Sequence, residues 1–342
     1  MKTFIMNSHE RPIRMVKFNF DGDLFYSSSD DGKICVWRSE NASLLGITSK
    51  GQEVSESIKG FDVSRDSKLI LAAQTTGGIK IYNGYDGSIK TIIMKQGWEK
   101  VRFCEFSLGD KEFVAVIDIQ TLDENIKSEI CIFNTENAIK EENNAECKKI
   151  IVGKEIVQAS FSDMNKSLYI AYKEGMMKIY DLIEKNRITV EKNITKGDLI
   201  SFSFSRDKIF LFVCSKDNNC YMVDPINLDI IKKFSNWNFF CRCVDISPLY
   251  LEKSYPCRRF HILVGGGQDA KDVATTKISA GGFDIKIINY ITEEYLAEIR
   301  GHTGPVHSLA ISPDGKMAIS GSEDGTLRLY QFHNDYFTEK FD

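Results

Sequence analysis

Short runs of alternating apolar and polar residues, broken by turns rich in Asp and Gly, set the texture of this chain. From Gly301 to Tyr330 it reads GHTGPVHSLAISPDGKMAISGSEDGTLRLY, in which the runs VHSLAIS, KMAISGS and TLRLY are separated by SPDG and EDG. The alternation predicts strands with one more deeply buried face, and Asp-Gly supplies the positive-φ residues of a tight hairpin. The unit is an antiparallel meander. The same layout stands near the other end of the chain as HERPIRMVKFNFDGDLFYSSSDDGKICVW. Asp31 follows His9 by 22 positions and Asp324 follows His302 by 22; Trp37 and Tyr330 come six after their aspartates, and Ser27 and Ser320 four before them.

A repeat of this size, with His near its start and an aromatic closing its third strand, resembles the WD repeat, the four-stranded blade of a β-propeller. The resemblance implies a hydrogen-bonded tetrad in each full repeat. His9, Ser27, Asp31 and Trp37 make up a complete set, and His302, Ser320, Asp324 and Tyr330 make up a second with Tyr in place of Trp. Such a set leaves every buried polar group with a partner. The same residue types also compose a hydrolase triad, but neither serine lies in a Gly-x-Ser-x-Gly elbow, and the set occurs twice, as a structural device should.

At 342 residues, seven blades of roughly 45 residues account for nearly all of the chain. The expected fold is therefore all-β: one seven-bladed propeller over residues 1–342 with a short C-terminal tail. Ahead of the first tetrad, KTFIM (Lys2 to Met6) reads as a lone strand, expected to close the ring as the outer strand of the last blade, beside the strand ending near Tyr330 and Phe332.

The middle repeats are less regular. The second closes at Tyr82 and lacks the tetrad His and Asp; the third closes at Phe133 after a longer connection, QTLDENIKS; the fourth closes with Tyr180-Asp181. The polar stretch TENAIKEENNAECKK after the third reads as a long exposed loop. The fifth closes with Val223-Asp224; its Asp217 holds the tetrad place six residues earlier, with no His at the matching position. The sixth carries GGGQDAKDVATTKISAGG between its second and third strands. Its triple glycine lacks the GK[ST] and the following helix of a phosphate loop, and a tight exit from a strand is the expected role.

Composition narrows the classes. A net charge of −4 and only scattered basic doublets (Lys148-Lys149, Lys232-Lys233, Arg258-Arg259) argue against a nucleic-acid surface, which counterion release would make basic. Nine cysteines behind the polar start MKTFIMNSHERPIR suggest free thiols in a reducing cytosol or nucleus, and no apolar run approaches membrane-spanning length. Cys241 and Cys243 are expected on one strand face; without a second pair or a nearby His they read as core rather than zinc ligands. His261, His307 and His333 stand unclustered. No Walker loop, H-E-x-x-H or G-x-S-x-G is present, so no enzyme and no cofactor is expected. FSNWNFFCRC, the nearest candidate for aromatic stacking on RNA, reads better as a blade strand around Trp237.

The most specific segments are GGGQDAKDVATT, then GGFDIKI, EIRGHTGPVHSLAISPDGK, SGSEDGTLRLYQF and the tail NDYFTEKFD. Together with the opening HERPIRMVKFNFDGDLFYSSSDD, they resemble the i-subunit family of eukaryotic translation initiation factor 3, along the whole chain and most weakly over blades two to four. Other WD-repeat adaptors, such as receptor-associated or ubiquitin-ligase scaffolds, share the tetrads but have no reason to carry the insertion or the tail. LEKSYPCRR and the polar loop after the third repeat depart from the family's pattern.

The resemblance implies a cytoplasmic, non-catalytic scaffold that holds a C-terminal helix of the b subunit, and the g subunit, and meets the small ribosomal subunit only through the complex. It implies no direct nucleic-acid or membrane contact. It also places two b-subunit contacts in the motifs SRD and VD, here Asp207 and Asp224. In an up-and-down blade both fall at the same edge, two strand spacings or roughly 10 Å apart, where a partner's Arg or Lys could meet either. Local turn capping is the competing role for each.

Overall fold

A computed structural model describes residues 1–48, 56–119, 127–151, 153–184, 187–235, 237, 239–248, 260–268, 282–333 and 336. These form seven four-stranded antiparallel sheets. Blade one, for example, consists of Ile13–Phe18, Leu24–Ser29, Ile34–Arg38 and Leu44–Ile47. The first strands of neighbouring blades touch one another around the centre of the ring. Sequence pattern follows position. Second strands such as Leu69–Gln74 and Glu112–Ile119 are buried almost throughout, because adjacent blades cover both faces, whereas the fourth strand Arg187–Asn193 has no buried residue. The fold is a seven-bladed β-propeller.

Both chain ends build the last blade. Lys2–Met6 pairs antiparallel with Leu327–Gln331, Lys2 opposite Gln331 and Met6 opposite Leu327. This covers an edge that would otherwise offer a row of unpaired backbone groups. Behind it, Tyr336 stacks on Phe332 with centroids 4.6 Å apart, and its hydroxyl lies 2.7 Å from Nδ1 of His261 in blade six.

A register shift recurs near the start of every first strand, from Ile13/Met15 in blade one to Val306/Ser308 in blade seven. One extra residue per bulge bends the strand and re-aims the side chains beyond it. The shift between Cys241 and Cys243 corrects the expectation that they share a face. Cys241 packs with the core shared by blades five and six, and Cys243 with the core shared by six and seven.

Beyond the bulge, a first-strand side chain latches each blade to the next. Ser308 accepts the Val16 N–H, Lys17 pairs with Asp62, Asp62 accepts the Phe106 N–H, and Ser160 donates to Glu105. Gln158 bonds both the N–H and C=O of Phe202, Ser201 donates to the Arg242 carbonyl, and Asp245 accepts the Ile311 N–H at 2.6 Å. All seven boundaries are bridged. Desolvation of the partly buried Asp245 pushes it up to about 6, despite its hydrogen bonds from Ile311 and Ile246. Its folded pKa therefore exceeds the ordinary 3.8. Between pH 4 and 6 the folded chain binds more protons than the unfolded chain, and stability falls as pH rises through that window. From pH 5 to 7.5 the wild type should lose roughly 1–2 kcal/mol more than Asp245→Asn, whatever constant offset the lost acceptor causes. Urea unfolding at both pH values would measure it; identical pH dependence in the two proteins would refute it.

Three further expectations change. The stretch 135–149 is not simply an exposed loop: Thr135–Glu141 is a helix capped by the Asn134 side chain, its Ala138 is buried, and Cys147–Ile151 is the outer strand of blade three. Trp237 is buried in the connection ahead of Cys241–Ile246, not in a strand. The triple glycine lies partly inside the strand His261–Gly266, where a Cβ on Gly266 would stand 1.9 Å from the Phe240 carbonyl oxygen, so only glycine fits. Residues 120–126 of the third-blade connection, 251–259, 269–281 of the insertion and 337–342 of the tail lie outside the described residues.

Candidate partner-binding site

In blade one, His9 Nδ1 donates to Asp31 at 2.8 Å, Ser27 Oγ lies 2.8 Å from Nε2, and the Trp37 indole N–H donates to Ser27 at 3.0 Å. One tautomer satisfies the chain of bonds: Trp to Ser, Ser to neutral His, His to carboxylate. In blade seven His302 meets Asp324 at 3.1 Å and Ser320 at 2.7 Å, and Ser320 meets the Tyr330 hydroxyl at 3.2 Å. Burial alone would raise Asp31 and Asp324, but hydrogen bonds from the histidines and from backbone N–H groups hold both below the usual carboxylate range. Neither set opens onto a cleft for a reaction, since both serines are fully buried. In blade five Thr195, 22 residues ahead of Asp217, stands where His would be and donates to that aspartate, as does Tyr221.

Asp207 and Asp224 lie at one edge of blade five. Asp207 sits in the turn between Leu199–Phe204 and Leu211–Ser215. Asp224 follows Asn219–Val223, and the pairing of Leu211 with Val223 brings it level with Phe210, just ahead of the neighbouring strand. Each also serves its own turn. Asp207 accepts from the Ser205 hydroxyl at 2.6 Å and the Ile209 N–H at 3.2 Å; Asp224 accepts from the Ile226 N–H at 2.8 Å. Asp207 is exposed and Asp224 half-buried. One oxygen of each carboxylate makes those turn bonds, so the carboxylates keep acceptor capacity for a partner.

The turns at this edge also carry apolar side chains in solvent. Ile209 is 58% and Ile226 81% exposed, and Ile183 and Ile291, in the corresponding turns of blades four and six, are exposed as well. Isoleucines flanked by two carboxylates offer an amphipathic segment both apolar contact and charge. Sequence reading missed these positions, because a single turn isoleucine carries no signal until the blades align the turns.

The opposite end of the first strands was missed too. Arg14 pairs with Asp30 and with Glu323 at 3.2 Å, Lys59 with Asp30 at 2.7 Å, and His307 with Glu323; Arg102 bridges Asp118 at 2.6 Å and Glu155 at 2.8 Å. The arginine and lysine ion pairs tie blades seven, one and two, and blades three and four. His307, unclustered in sequence, is thus part of a charged cluster. Among the described residues no helix is long and apolar enough to cross a membrane.

The WD domain, G-beta repeat family matches residues 2–38 and 293–331, the two regions with full tetrads. Over its whole length the chain is 30% identical to the eukaryotic translation initiation factor 3 subunit I of Saccharomyces cerevisiae, covering 96% of that protein. It is 29% identical to the subunit I of Candida glabrata, again over 96% of it, and 28% identical to that of Drosophila grimshawi over the full length of both. With paired repeats at its ends, seven blades and this identity from end to end, the chain belongs to the eukaryotic translation initiation factor 3 subunit I family, the WD-repeat subunits of a translation initiation factor.

Proposed function

We propose that the propeller is a non-catalytic scaffold of initiation factor 3 in the cytoplasm, holding a C-terminal helix of subunit b on the edge of blade five, and holding subunit g. It meets the small ribosomal subunit only through the complex, without direct nucleic-acid or membrane contact. The observation that carries the reading is the pairing of Asp207 and Asp224 with exposed Ile209 and Ile226 on one blade edge. A helix with Arg or Lys beside an apolar stripe would satisfy all four.

Tagged purification from native cells with nuclease treatment should recover subunits b and g in near-equal amounts. Asp207→Lys with Asp224→Lys should then abolish binding of the b-subunit tail while the melting temperature stays near that of the wild type. Asp207→Asn with Asp224→Asn keeps an oxygen for each turn bond and removes the charge, and should weaken binding about tenfold, as loss of charge-assisted bonds would. Unchanged affinity in the folded lysine variant would sink the assignment. Recovery of a different complex would favour another WD-repeat adaptor role.

A further inference from the structure

Three thiols from two blades converge in the core between blades five and six. Cys214 and Cys220 are directly opposed on the second and third strands of blade five, and Cys241 opens the first strand of blade six. All three are fully buried, and their sulfurs lie within 4.8 Å of one another, with Cys241 Sγ 3.2 Å from Cys214 Sγ. Three sulfurs bound to one metal at about 2.3 Å would stand about 3.8–4 Å apart, a spacing bracketed by these distances. The bulge after Cys241 turns it, and not Cys243, toward blade five. Around the sulfurs the core is apolar: Phe212, Phe234, Trp237, Phe239 and Val244 belong to the same cluster. The Trp237 indole N–H, buried there, has no hydrogen-bond partner among the described residues.

We propose that Cys214, Cys220 and Cys241 form a three-coordinate site for a soft monovalent cation, copper(I). Thiolate ligands select copper(I) and zinc among the common metals. Coordination number separates the two. Zinc in a structural site takes four ligands, and the described residues bring only three Cys, His, Asp or Glu donors together here. Binding is an exchange without change of oxidation state: copper(I) enters, Cu–S bonds form, and each ligating thiol breaks its S–H bond and releases H⁺ to solvent. The ion would join the two strands of the blade five hairpin to blade six, towards the end of those strands away from the proposed partner edge and independent of it.

The test is full-length protein produced in copper-supplemented cells, purified without oxygen and analysed for metal by mass spectrometry. About one copper per chain is expected, with X-ray absorption reporting sulfur scatterers alone. Cys220→Ala should lower copper content at least tenfold, while Cys104→Ala, another buried thiol, should retain it; circular dichroism establishes that each variant folds. Equal copper content in wild type and Cys220→Ala overturns the proposal, as does protein that takes up no copper or one that binds zinc with a nitrogen or oxygen neighbour. Should Cys220→Ala not fold, absorption on the wild type alone decides: any nitrogen or oxygen scatterer is the contrary result.

Discussion

Deleting residues 1–7 should lower the melting temperature by about 10 °C or more and leave a protein that aggregates. The deleted strand pairs with Leu327–Gln331 along its whole length, and its Met6 is buried in the core shared by blades seven and one, with Phe4 packed against it. Several backbone hydrogen bonds at about 1 kcal/mol each and one buried side chain at about 2 kcal/mol together give a loss of roughly 5 kcal/mol. At about 2–4 °C per kcal/mol for a large chain, the shift is readily measured by calorimetry. The exposed edge of Leu327–Gln331 would then offer its unpaired backbone to other chains. His9 and its tetrad are untouched by the deletion, so the loss reports ring closure. A truncated protein that melts with the wild type would show that the strand does not hold the ring.

Asp31→Ala is expected to cost about 3–4 kcal/mol. The carboxylate accepts from His9 Nδ1 at 2.8 Å, Lys33 N–H at 2.9 Å and Glu10 N–H at 3.3 Å, and alanine strands three donors where little water reaches. Asp31→Asn keeps the shape and one acceptor oxygen and should cost about half as much. The sign of the pH dependence is set by the depressed carboxyl. Its contribution is complete above the ordinary pKa near 4 and disappears as pH falls through the lower folded value, so wild type and variant should converge in acid. Tyr330→Phe at the other tetrad should cost at most about 1 kcal/mol, because Ser320 keeps its bond to His302. Denaturant unfolding at neutral and acid pH measures all three. A cost below about 1 kcal/mol for Asp31→Ala would mean that the tetrad does not stabilise its blade.

Much of the architecture was legible because its signals are local. Strand alternation, Asp-Gly turns and the 22-residue interval from His to Asp fall inside single repeats, and the structure places His9, Ser27, Asp31 and Trp37 within hydrogen-bond distance of one another. The opening KTFIM could be assigned to the last blade because a propeller leaves one edge to cover and only one spare strand to cover it. The helix Thr135–Glu141 was missed because its polar composition hides one buried face: Thr135 and Ala138 turn inward while charged residues surround them.

Sequence alone therefore determined the class of fold, the repeat, the tetrads, the family resemblance and the two aspartates worth testing. Tertiary structure decided which side chains meet across blades. A bulge separated Cys241 from Cys243, hairpin register set Cys214 opposite Cys220, and blade packing joined Cys241 to that pair. It also aligned the turns that carry Ile209 and Ile226 beside Asp207 and Asp224, and assembled the charges around Arg14 and Asp30. The physical reason is range: periodicity and turn chemistry act within a few residues along the chain, whereas these contacts join residues tens to hundreds of positions apart, and only closure of the ring brings them together.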